Sequence, residues 1–86
     1  MKPELFELFY ELGKENRELK KKHTGIIAFT WKVHYGNRKD AYLILQRIFY
    51  PNSVPELLKE AFSYDDENYK TAIYTFISGV YSEEEG

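Results

Sequence analysis

Tyr69, Ala72, Ile73, Phe76, Ile77 and Val80 recur at steps of three and four residues, the period of one face of an α-helix. A helix with such a stripe must bury it against other elements, so the rest of the chain has to supply a core around it. Tyr74 and Tyr81 mark a second apolar edge on the same helix. One stripe accounts for a core, and the second points to a contact surface.

Upstream segments repeat the helical period. Leu5, Leu8, Phe9 and Leu12 follow Pro3, a residue accepted in a first helical turn. Glu18 and Lys22 at i,i+4 extend this helix toward Leu19, past Gly13, and Thr24-Gly25 is expected to break it. Ala41, Ile44, Leu45, Ile48 and Phe49 form another stripe, with Asn37 and Asp40 resembling an N-terminal cap and Pro51 a stop. Ser53 and Glu56 have capping-box spacing ahead of Leu57, Leu58, Ala61 and Phe62. The acidic run Asp65, Asp66 and Glu67 suits the positive end of a last helix, expected over 64–82.

Residues 26–35 are ambiguous. Ile27, Phe29, Trp31, Val33 and Tyr35 alternate with Ala28, Thr30, Lys32 and His34, as in a strand. With Thr24 as N-cap and Gly36 as terminator the same residues make a helix. A strand needs a partner, and the one available segment, 41–50, has helical spacing. The expected fold is therefore all-α, a compact bundle of four to five short helices. The alternative is α+β, with a central β-hairpin at 26–50 flanked by helices.

A chain of 86 residues with 43% hydrophobic content is enough for one core and not for two. A single domain over 1–82 is expected, followed by a disordered acidic tail at 83–86. The absence of cysteine excludes disulfides, zinc–thiolate sites and thiol catalysis. No apolar run approaches the ~20 residues that cross a bilayer, and Met1-Lys2-Pro3-Glu4 does not open a signal peptide. These features predict a soluble cytoplasmic protein that does not engage membranes.

His23 and His34 have no metal-ligand spacing, no serine sits in a Gly-x-Ser-x-Gly elbow, and no glycine-rich phosphate loop is present. The expectation is a non-enzymatic protein with no cofactor, metal or small-molecule substrate. Phe6 and Phe9-Tyr10 have the paired-aromatic spacing of a sliding-clamp-binding motif, but Pro3 stands where such motifs begin with glutamine.

Charge is distributed unevenly. Residues 1–55 carry ten Lys/Arg against six Asp/Glu, and residues 56–86 carry two against eight. Seven tyrosines (10, 35, 42, 50, 64, 74 and 81) are too many for the interior of so small a domain, and tyrosine is enriched at protein interfaces. Two functional expectations follow. The first is a regulator, inhibitor or adaptor that contacts another protein, or a second copy of itself, through Tyr74, Tyr81, Asp65, Asp66 and Glu67. The alternative is nucleic-acid binding through Lys14, Arg17, Lys20, Lys21, Lys22, Lys32, Arg38 and Lys39, with Trp31 and Tyr35 as stacking faces. A helix-turn-helix over 26–50 would offer Gln46 and Arg47 as base readers, but its second helix would also present Tyr42 and Leu43.

Overall fold

Two glycines decide how the helices meet. In the computed structural model, which describes residues 2–83, Gly13 and Gly79 lie against each other. A Cβ on Gly13 would stand 2.8 Å from the Gly79 Cα and would overlap the Phe76 carbonyl oxygen. One on Gly79 would overlap the Tyr10 carbonyl oxygen. Backbone therefore packs on backbone where side chains normally keep helix axes about 8–10 Å apart.

The described residues form α1 (Pro3–Glu15), a 3-10 segment (Arg17–Lys22), α2 (His23–Tyr35), α3 (Arg38–Phe49), α4 (Glu56–Ala61) and α5 (Asp66–Val80), with no strand among them. This is the expected all-α bundle. No described helix is long and apolar enough to cross a membrane. The expected tail at 83–86 lies, apart from Glu83, outside the described residues.

Several boundaries follow from local chemistry. Asn37 caps α3, its side-chain oxygen accepting the Asp40 N–H at 2.8 Å. Asp65 caps α5 by accepting the Asn68 N–H, and the Asn68 side chain holds its carboxyl below the ordinary Asp value. Gly36 closes α2 and donates its N–H to the Lys32 carbonyl at 2.9 Å. Ser53 and Glu56 do not form the expected capping box, because Pro55 occupies the N-cap position of α4 and no side chain caps that end.

The first break also lies elsewhere than expected. α1 stops at Glu15, where Asn16 donates its side-chain amide to the Leu12 carbonyl at 2.8 Å. The chain then tightens into the 3-10 segment and re-enters an α-helix at His23, running through Thr24 and Gly25. Glycine is tolerated there because the first turn of a helix has no intrahelical N–H bonds to lose.

The alternative β-hairpin at 26–50 does not form, since both halves are helical. α2 buries Ile26, Phe29 and Val33 but leaves Ile27, Trp31 and Tyr35 exposed. Its odd-numbered apolar residues thus belong to two i,i+4 rows on different faces of one helix. Interleaved in sequence, two such rows mimic the alternation of a strand.

α5 touches α1, α2, α4 and the 3-10 segment. The C-terminal ends of α1 and α5 meet at the glycine contact, and Arg17 extends that junction by donating to the Ser82 carbonyl and hydroxyl, both at 3.1 Å. α2 runs antiparallel to α3, with Lys32 opposite Asp40 and Gly25 opposite Ile48. The buried residues form one cluster from Phe9 to Val80. In α1 the contact line passes through Phe9 and Gly13, so Leu8 lies 54% exposed and outside its expected apolar stripe.

Gly79→Ala and Gly13→Ala are each expected to destabilise by about 3 kcal/mol or more, since the overlapped atoms are backbone. That lowers Tm by more than about 12 °C in a domain of this size. At Gly25 a Cβ would meet only the Ile48 side chain, at 3.3 Å. Gly25→Ala is therefore expected to stay within about 1 kcal/mol of the parent, and scanning calorimetry of the three variants checks all of these outcomes.

Candidate interaction surface

The residues expected to bind fall into three groups once folded. Tyr74 and Tyr81 project from α5 and its C-cap toward α2. The Tyr74 hydroxyl lies 3.0 Å from His34 Nδ1, and the Tyr81 hydroxyl 2.7 Å from His23 Nδ1. The two pairs connect α5 and α2 near both ends of α2. His23 and His34 are eleven residues apart on that helix, about 16 Å at 1.5 Å per residue. No cluster of metal-ligating side chains exists among the described residues.

Asp65, Asp66 and Glu67 sit at the opposite end of α5 from Tyr81. Asp65 is the cap, while Asp66 pairs with Lys70 at 3.2 Å and approaches Arg38 at 4.0 Å. Only Glu67 stays on the tyrosine edge, seven residues before Tyr74, with its side chain exposed. The acids and the tyrosines do not converge on one point.

The eight basic residues scatter further, and most have intramolecular work. Arg38 donates to the carbonyls of Phe62 and Tyr64 and stacks its guanidinium 4.2 Å from the Tyr69 ring centre, tying α3 to the turn between α4 and α5. Lys22 donates to the Ile48 and Tyr50 carbonyls at 2.7 and 3.0 Å, capping the C-terminus of α3. Arg17 bonds the chain after α5. Lys32 pairs with Asp40, and Lys14 with Glu11. Lys20, Lys21 and Lys39 remain exposed.

A surface not anticipated as a unit emerges on α2. Ile27, Trp31 and Tyr35 line its outer face at i,i+4 spacing and are 46, 59 and 71% exposed. Trp31 and Tyr35 lie 4.7 Å apart between ring centres, and the His34 ring stands edge-on to Tyr35 at 4.3 Å. The two His–Tyr pairs border this row on the α5 side.

On the α3 side a groove is lined by Thr24, Gly25 and Ala28 of α2, Ile44, Arg47 and Ile48 of α3, and Lys22. Its walls are mainly small or aliphatic, with cations contributed by Lys22 and Arg47. Leu43, 46% exposed, lies on α3 beside Gln46, Arg47 and Tyr50 at a separate depression. The signal for the α2 surface was present in the strand-like alternation of 26–35. Helical rotation assigns that alternation to two faces.

The segment that carries this row is strongly basic. Between Leu19 and Pro55 the cations are Lys20, Lys21, Lys22, Lys32, Arg38, Lys39 and Arg47, and the one carboxylate is Asp40. The aromatic row therefore belongs to the basic segment of the chain. The acidic residues concentrate in the segment from α4 onward. Compared with protein-family models, curated proteins and solved structures, the chain matches none.

Two substitutions measure how far the polar groups here are structural. Arg38→Ala is expected to cost about 2–3 kcal/mol in urea unfolding, because it removes charged hydrogen bonds and a cation–ring contact. Lys39→Ala is expected to change stability by less than about 0.5 kcal/mol.

Tyr69 is 2% exposed, and its hydroxyl has no hydrogen-bond partner among the described residues. Burial pushes its phenol up to about 12 from an ordinary value of 10.0, against an opposing effect of Arg38. Folding thus favours the protonated phenol. That contribution is fully present below pH 10 and is lost as pH rises through 12, amounting to roughly 2–3 kcal/mol. Tyr69→Phe is expected to remove this alkaline loss while leaving stability at pH 7 unchanged or raised by up to about 1 kcal/mol. Urea titrations of both proteins at pH 7, 9 and 11 give the comparison.

Proposed function

We propose that this protein is a non-enzymatic interaction domain, acting in the cytoplasm as a regulator, inhibitor or adaptor, and that the outer face of α2 is its principal contact surface. The observation carrying this reading is the row Ile27, Trp31 and Tyr35. Three large side chains are held on a well-packed helix while their apolar area stays in water. Tryptophan and tyrosine are the residues most often found at the energetic centre of protein interfaces. Tyr74 and Tyr81 form the rim of this surface, oriented by His34 and His23.

The rigidity of α2 supports the same reading. Ile26, Phe29 and Val33 anchor its inner face in the core, so the outer row is presented without ordering a loop. Preorganisation of this kind lowers the entropic cost of association. A second reading, nucleic-acid binding, draws on the stacked Trp31–Tyr35 pair and the exposed Lys20, Lys21 and Lys39. It uses fewer cations than the sequence offers, since Arg17, Lys22 and Arg38 bond backbone carbonyls.

A photo-crosslinking residue placed at position 35, and separately at position 60 on α4, distinguishes the readings in cells of the source organism. A discrete protein adduct formed from position 35 but not from 60, and lost on Trp31→Ser, is the expected result. Nucleic-acid adducts from position 35 would favour the second reading. Equal protein adducts from both positions, or none from 35, would remove the α2 face from consideration.

A further inference from the structure

Resting on the α2 reading, we infer that the occupant of this surface is an acidic amphipathic helix of another protein. Its apolar side chains would lie along Ile27, Trp31 and Tyr35 and enter the groove between Ala28 and Ile44, with its carboxylates facing Arg47.

Charge complementarity selects this occupant. The segment from Leu19 to Pro55 contains a single carboxylate, Asp40, and Lys32 already pairs with it. Arg47 lies beside the groove and is exposed. A partner bearing carboxylates on the flanks of an apolar stripe meets a positive field on approach, which raises association rates and fixes orientation. Apolar anchors at helical spacing then fill the groove, in the manner of helix-in-groove recognition.

Other occupants fit less well for stated reasons. A second copy seated symmetrically would place its own α2 on this α2 and bring two sets of like charges together. Single-stranded nucleic acid would stack on Trp31 and Tyr35, but it has no use for the aliphatic groove of Ala28, Ile44 and Ile48. An anionic lipid surface would take the Trp31 row, but it cannot follow a concave groove between two helices.

Trp31 is the one tryptophan in the chain and reports directly on the surface. Its fluorescence is titrated with a panel of tryptophan-free helical peptides carrying Leu or Phe at i, i+3, i+4 and i+7 and Glu elsewhere. Parallel titrations use the same peptides with Lys replacing Glu, oligo-dT, and phosphatidylcholine vesicles containing phosphatidylglycerol. The expected result is a saturable blue shift with at least one Glu peptide. Its affinity should be at least tenfold above that for the corresponding Lys peptide, fall at least tenfold on Arg47→Glu or Tyr35→Ala, and exceed any binding of the oligonucleotide or vesicles. Circular dichroism confirms that both variants stay folded, and Arg47→Ala provides a charge removal at the same position if Arg47→Glu does not fold.

Lys peptides binding as well as Glu peptides would overturn the acidic partner while leaving α2 a protein-binding face. Tighter binding of oligonucleotide or vesicles, or no response to any probe, would overturn both. A concentration-dependent shift of Trp31 without any probe, accompanied by a doubled mass in sedimentation, would assign the face to a second copy and overturn the acidic partner.

Discussion

The contact of Gly13 with Gly79 is the constraint on which the rest of the arrangement depends. Two helices brought together backbone to backbone have little freedom to slide or rotate, because carbonyl oxygens of Tyr10 and Phe76 occupy the space that any Cβ would need. Each glycine gives up about 1 kcal/mol of helix propensity relative to alanine. Close packing of Phe9, Ala72, Ile73, Phe76 and Val80 around the junction offsets that loss. With α1 and α5 locked at their C-terminal ends, Arg17 can reach the chain after α5, and the 3-10 segment brings α2 back along α5.

Cations hold the remaining junctions. Arg38 at the start of α3 and Lys22 ahead of α2 both donate to main-chain carbonyls that terminate other helices. Carbonyls at a helix end lack intrahelical partners and carry the negative end of the dipole. A positive side chain arriving from a distant element supplies both a hydrogen bond and a favourable charge. This accounts for much of the basic front half without a ligand. Lys20, Lys21, Lys39 and Arg47 remain exposed on the surface, Arg47 beside the groove between α2 and α3.

Helix α2 carries the link between the fold and the proposed function. Its inner face supplies Ile26, Phe29 and Val33 to the core, and its outer face holds Ile27, Trp31 and Tyr35 in water. A helix that is apolar on both sides has a weak amphipathic signature, which is why its sequence also matched a strand. Tyr74 and Tyr81, expected from the sequence to mark a binding surface, meet His34 and His23 of α2. No local pattern in the last helix announces those partners, since each pair spans at least forty residues of sequence.

By itself the sequence determined the helical character of the chain, because three- and four-residue apolar steps recur in every long segment except 26–35 and local caps at Asn37 and Asp65 act over three residues. It also determined the inner stripe of α5, since burial follows directly from period. Only the tertiary structure decided which apolar residues of α2 face water and where the α1–α5 crossing lies. It likewise showed that Arg17, Lys22 and Arg38 close helix ends. Those outcomes depend on which backbone atoms come within van der Waals or hydrogen-bond reach across tens of residues, as they do at the glycine contact between α1 and α5.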